Sequence, residues 1–154
     1  MIKVNVEVDK KSWHKKIKNP KRYFNRKLKI ISKKIPFFTE KKLIFTILLT
    51  NSLTMKKLNR KFRKKNKSTD VLSFPFYEKN QLNNKIRKEK EVYLGDIIIN
   101  LSQVKKKNNK AKFKEELNKL WIHGLLHLLG YDHKSNSQYL QMQRIEKKFS
   151  YLIK

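Results

Sequence analysis

From Leu120 to Leu129 the chain reads Leu-Trp-Ile-His-Gly-Leu-Leu-His-Leu-Leu, almost without a polar interruption. A segment apolar around most of its circumference has to be a central buried helix, so the rest of the fold must wrap it. Extended to residue 133 the segment becomes HGLLHLLGYDH and holds three of the chain's four histidines. His123 and His127 are four apart, which puts them on one helical face about 5–6 Å apart at Cβ. Gly130 can adopt the positive φ that ends a helix, letting the chain turn back and bring His133 to the other two. Three imidazoles with no fourth protein ligand are the donor set of a catalytic zinc site. The spacing points to a metal-dependent hydrolase.

Two blander readings stand beside it. A single histidine on an apolar helix is usually a hydrogen-bonded core residue, but burying three without partners is costly and a shared metal removes that cost. A structural zinc wants a fourth ligand, for which His14, Asp70, Asp96 and Asp132 are the candidates. Zinc suits imidazole donors, and no redox-tuning ligand is visible. The spacing equals that of metzincin proteases, H-E-x-x-H-x-x-G-x-x-H, except that Gly124 stands where those enzymes carry their glutamate base. Peptide hydrolysis needs that base to generate hydroxide and protonate the leaving amine. A phosphodiester makes different demands, metal charge and cations for its oxygens, with an internal 2′-hydroxyl available in RNA, so Gly124 pushes the reading away from proteolysis.

With 154 residues the chain fits one domain, 1–154. It has no cysteine, which excludes disulfides and thiolate zinc sites. No apolar run opens the chain, and none reaches the ~20 residues of a membrane span, so a cytoplasmic protein without membrane association is expected. The net charge of +28 fits a polyanion partner, most simply nucleic acid. Compositional drift would give the same bias, since 34 of the 40 basic residues are lysine.

Alternation of Ile2, Val4, Val6 and Val8 predicts a half-buried strand. Residues 19–34 predict a basic amphipathic helix with Pro20 in its first turn, and Leu43 to Thr50 a strand buried on both faces. A helix from Ser52, its N-cap, to Arg63 is expected to turn Leu53, Leu58 and Phe62 inward. Val71–Tyr77 and Val92–Ile99 read as strands, the first at an edge because of Pro75. The lysine-rich stretch 78–90 reads as a loop. Helical pattern follows from Leu101 to Leu129, interrupted near Asn108 and Asn109, and a closing helix covers 135–149 with Leu140, Ile145 and Phe149 inward. The order predicts an α/β (α+β) fold, a small mixed β-sheet packed with helices and carrying a zincin-like metal site on its central helix.

At this point a family comes into view. HGLLHLLGYDH resembles the signature of the YbeY family of bacterial endoribonucleases and rRNA maturation factors. NRKFRKKNKSTDVLSFPF at 59–76 and LGDIIIN at 94–100 match it in the same order. The resemblance implies one zinc ion on His123, His127 and His133, no small organic cofactor, and single-stranded RNA as substrate. It further implies work on small-subunit rRNA 3′-end maturation and ribosome quality control, with the small ribosomal subunit and ribosomal or assembly proteins as partners. It assigns Arg63 to the arginine that precedes the T-D-V-L-S-F segment. The alternative is a non-catalytic RNA-binding assembly factor with a structural zinc.

The remaining candidates divide between chemistry and structure. Arg63 can clamp a phosphate through a bidentate contact, or be one more solvated cation. Arg60 is the next candidate. Asp132 can orient His133 or the attacking water, or cap the turn after Gly130. Asp96 can accept the second N–H of a ligating histidine, or make a turn beside Gly95. Thr69 and Asp70 suit a turn, and Ser73 and Phe74 suit packing.

Overall fold

The computed structural model describes residues 1–35 and 37–154. Its elements run β1 (Ile2–Val8), α1 (Ser12–Lys16), α2 (Pro20–Lys34), α3 (Phe37–Glu40), β2 (Lys42–Thr50), α4 (Ser52–Arg63) and β3 (Val71–Pro75). Then come α5 (Lys79–Lys88), β4 (Glu91–Asn100), a 3₁₀ turn at Leu101–Gln103, α6 (Lys110–Leu128) and α7 (Asn136–Leu152). The strands form one mixed sheet in the order β1-β2-β4-β3. β1 and β4 pair with β2 in parallel, and β3 pairs with β4 antiparallel. This is the mixed α/β architecture expected. β3 is an edge strand, as Pro75 requires, because proline cannot donate to a ladder on both sides.

The sheet separates two unequal cores. Odd-numbered residues of β2 (Leu43, Phe45, Ile47, Leu49) and Ile97 and Ile99 of β4 face a large cluster shared with α2, α6 and α7. Ile98 and Leu72 face the other way, meeting Met55 of α4 in a small second cluster. β2 is therefore fully buried on one side and only half-buried on the other, less than its uninterrupted apolar sequence predicts. The helix starts are set by local chemistry. Asn19 caps α2 ahead of Pro20, Asn109 caps α6, and Ser135 closes a capping box with Gln138 on α7.

Several expectations are corrected. Residues 79–88 are helical, since α5 buries Leu82 and Ile86 against the main core and opens on a Glu78–Gln81 capping box. The cap of α4 is Asn51, whose side chain accepts from the Thr54 N–H, leaving Ser52 inside the helix. Leu53 and Phe62 are exposed, and α4 turns Met55 and Asn59 inward instead. Leu140 is exposed, and Met142 takes its place against the core. In α4 the sheet lies under Met55 and Asn59, four apart on one face, which leaves Leu53 and Phe62 towards solvent; in α7 Ile145 and Phe149 pack inward as expected. Among the described residues no helix is long and apolar enough to cross a membrane.

Candidate metal centre and its cleft

α6 carries His123 and His127 to its C-terminal end, where the chain reverses. Gly130 has φ +81, its N–H donates to His127 O at 3.0 Å, and the Tyr131 N–H donates to Leu126 O at 3.0 Å. This is a Schellman ending, in which a left-handed residue lets the last carbonyls of the helix be satisfied. It returns the chain so that His133 meets the other two rings. The ring centroids are 4.6 Å (His123–His127), 5.1 Å (His127–His133) and 5.7 Å (His123–His133) apart. One ligand atom from each lies within 4.8 Å of the others, and among the described residues no carboxylate or further histidine joins the group. Of the proposed fourth ligands, His14 lies on α1 with Nδ1 3.4 Å from Lys18 O.

The hydrogen bonds show whether these rings suit a cation. His127 Nδ1 lies 3.0 Å from Tyr131 O, and His123 Nδ1 lies 2.7 Å from Glu146 Oε1. A carbonyl and a carboxylate only accept, so both Nδ1 atoms carry the proton and both Nε2 atoms present lone pairs. Those two Nε2 atoms face each other at 3.1 Å. Two lone pairs at that distance repel unless a shared proton or a metal ion lies between them. A tetrahedral ion with imidazole bonds of about 2.0–2.1 Å holds its ligand nitrogens about 3.3 Å apart. The donor set therefore fits a metal ion. Burial, and then the neighbouring His123 and His133, lower the His127 pKa, which keeps the ring in the neutral, ligating form.

Glu146 is a residue that the sequence reading leaves out. It is the only acidic residue of α7 and lies four positions from the buried Met142, on the inward face of that helix. A single carboxylate on an apolar face is the available signal. Asp96, the residue considered for this role, instead accepts from the Tyr93 hydroxyl at 2.6 Å. Asp132 Oδ1 accepts from the His133 N–H at 2.8 Å and its other oxygen meets Lys134 at 3.0 Å, so it caps the turn that carries His133. The same bonds, the His133 N–H first, lower its pKa. Asp70 Oδ1 accepts from Val71 N–H and the Thr69 hydroxyl, a strand-entry turn.

The histidines open into a cleft of about 820 Å³ that straddles the β3 edge. Arg63, Ser73, Phe76, Lys79, Asp132 and Lys134 also line it. Arg63 reaches it from the other face of the sheet. Its guanidinium donates to Ser73 O at 3.0 Å and lies 5.7 Å from the centre of the Phe74 ring. That leaves further N–H donors of the fork for a ligand. Arg60, by contrast, does not line the cleft. At position 124 there is no room for a side chain, since a Cβ there would come within 2.9 Å of Ile97 Cγ2. The position of the metzincin base is occupied here by helix–sheet packing.

A four-stranded mixed sheet with a three-histidine group at the end of its buried helix defines a metallohydrolase-like α/β protein. The comparisons name the family. The family model Endoribonuclease YbeY matches residues 5–153. The chain is 45% identical over 148 residues to Endoribonuclease YbeY of Pelagibacter ubique, covering 95% of this chain and 92% of the relative. It is 35% identical over 148 residues to that of Ehrlichia canis, covering 95% and 88%. The solution structure of TM1509 from Thermotoga maritima superposes with a TM-score of 0.59 at 28% identity, over 99% of this chain and 89% of the other. The chain belongs to the YbeY endoribonuclease family.

Proposed function

We propose that this protein is a zinc-dependent endoribonuclease of single-stranded RNA, acting in the cytoplasm as one domain on the 3′ end of small-subunit rRNA during maturation and quality control. The observation that carries the reading is the convergence of three imidazoles and a guanidinium, from opposite faces of the sheet, in one cleft. His123, His127 and His133 would hold the metal. A zinc ion there supplies Lewis-acid charge to a phosphodiester.

The chain's own groups do the rest. Arg63, fixed by Ser73 O and in cation–π range of Phe74, holds a phosphoryl oxygen and offsets charge developing at phosphorus. Lys79 and Lys134 line the same cleft and add positive charge along the RNA backbone. Glu146 and Tyr131 O set the orientation of two of the rings, and Asp132 sets that of the third through the backbone of His133. The closed position at Gly124 favours a phosphodiester over a peptide, because no side-chain base can stand beside His123. The net charge of +28 suits rRNA within the small ribosomal subunit, with ribosomal and assembly proteins as further partners.

The test is cleavage of a small-subunit rRNA 3′ fragment by purified protein, with zinc measured on every sample. Wild type is expected to carry about one zinc and cut. His127→Ala is expected to stay folded and lose both zinc and cleavage, and Arg63→Glu to keep zinc and lose cleavage. A wild type that is folded and zinc-loaded yet never cuts above a contaminant control would make the protein a non-catalytic assembly factor with a structural zinc.

A further inference from the structure

Phe76 is an exposed aromatic ring at a position where exposure serves no packing purpose. It follows directly on β3, and 63% of its surface is open. It lines the histidine cleft and also a neighbouring groove of about 520 Å³ formed with Tyr77, Asn84, Lys88 and the Lys85–Glu89 ion pair (2.7 Å). The ring is thus a ridge between the metal centre and a second groove, in which Lys88 is the cation without that carboxylate partner.

Although exposed, this residue is held from several sides. Its N–H donates to Leu94 O at 2.9 Å. Gly95, at φ +129, makes that approach possible, because a Cβ there would lie 2.1 Å from Phe74 O and 2.9 Å from Phe76 N. Tyr77 and Tyr93 flank the ring nearly perpendicularly, with centroids at 4.9 and 5.7 Å. Tyr93 is itself tied down: its hydroxyl donates to Asp96 Oδ1 at 2.6 Å and lies 2.9 Å from Thr46 Oγ1. Burial, and then Asp96, push the Tyr93 hydroxyl up to about 12, so it remains a neutral donor. The Gly95-Asp96 pair, which the metal centre does not use, thereby acquires a role in positioning Phe76.

We infer that Phe76 is a stacking platform for an unpaired nucleobase of the RNA, beside the phosphodiester held at the histidines. This inference rests on the nuclease reading above. A fixed, open ring accepts the face of any base, whereas a paired base keeps its faces inside the duplex, so the platform selects single-stranded substrate. The backbone then runs from Arg63 and Lys79 over Phe76 towards Lys88. Phe62 is also exposed, but it packs on Phe74 and does not line the cleft.

Binding is measured on the metal-loaded protein with a short fluorescein-labelled 2′-O-methyl oligoadenylate, checked on a gel to stay intact, so that no cleavage is required. Phe76→Ala is expected to weaken binding about 5- to 100-fold, while Phe76→Trp retains it. In the Phe76→Trp protein the emission of the introduced indole is expected to be quenched by RNA, against a background of two buried tryptophans, Trp13 and Trp121. As a check needing no change at residue 76, an oligonucleotide of the same length with abasic residues in place of the adenosines should bind the unsubstituted protein no more tightly than the intact one binds Phe76→Ala. Equal affinity of intact and abasic RNA, or unchanged affinity in a folded Phe76→Ala, overturns the platform. Neither result depends on whether wild type cleaves.

Discussion

The face of the sheet under α2, α6 and α7 buries one continuous apolar cluster, whereas among the described residues the face under α4 fully buries the apolar side chains of Met55, Leu72 and Ile98 alone, with Leu48, Leu58 and Phe74 half-buried around them. Polar tethers make up the difference. Asn100, fully buried, has its Nδ2 2.8 Å from Ser68 Oγ and 3.0 Å from both Thr69 O and Ser52 Oγ, more acceptors than its two N–H groups need, and its Oδ1 accepts from the Ser102 N–H. Asn59 donates to Lys67 O at 2.7 Å, and Asp9 accepts from the hydroxyls of Thr50 and Thr54 at 2.6 and 3.0 Å. The two faces supply the two halves of the cleft. Apolar packing fixes the histidines to the tolerance a metal demands. A hydrogen-bonded network carries Arg63 around the open β3 edge, where no core could be built without covering the cleft.

The largest effect should come from the apolar face. Leu125→Ala is expected to cost about 3–5 kcal/mol, read from the denaturant midpoint, and to lower metal content as α6 shifts. A loss below about 1 kcal/mol would show that this core repacks freely and does not fix the site. On the polar face, Asn100→Ala should cost about 2–3 kcal/mol by leaving several partners unsatisfied. Its signature is reduced cleavage with metal retained; simultaneous loss of metal would mean that the two faces are not separable. Glu146→Gln is expected to weaken metal affinity about 10- to 100-fold in a chelator competition. If affinity is unchanged, Glu146 does not orient His123.

The smallest effect is a pH dependence. The Thr50 and then the Thr54 hydroxyl hold the Asp9 carboxyl below its ordinary value. A depressed pKa contributes stability that is present above the unfolded value of about 3.9 and is lost as pH falls through the lower folded value. Asp9→Asn should therefore lower neutral stability slightly and flatten the acid limb of the stability curve, so that the two proteins converge at low pH. A steeper acid limb in the variant would contradict the assignment. The effect is modest because the side chain is 34% exposed.

The apolar face is the legible one. The alternation of β1, the Pro20 start of α2 and the all-round apolar end of α6 each need only neighbours in the chain to be read. The polar face is not. Asn59 and Asn100 look like any other asparagine in a chain rich in them, and their burial depends on elements far apart in sequence. α5 escapes a reading by pattern because only Leu82 and Ile86 mark its buried side, although Glu78 and Gln81 offer a capping signal. At the site, the three histidines stand out together because eleven consecutive residues contain them, while Glu146 has only its place as the one carboxylate of α7 to mark it, and nothing local singles out Phe76.

The sequence by itself determined the histidine spacing, the central helix, the glycine that ends it and the family. All of these are local patterns, set by helical periodicity and by the φ a residue can adopt. Only the tertiary structure decided that Glu146 rather than Asp96 faces His123, that Arg63 crosses the sheet edge to the histidines, and that position 124 is closed by Ile97. Those pairings join residues distant in the chain, and their distances are fixed by how helices pack on the sheet, which no single segment encodes.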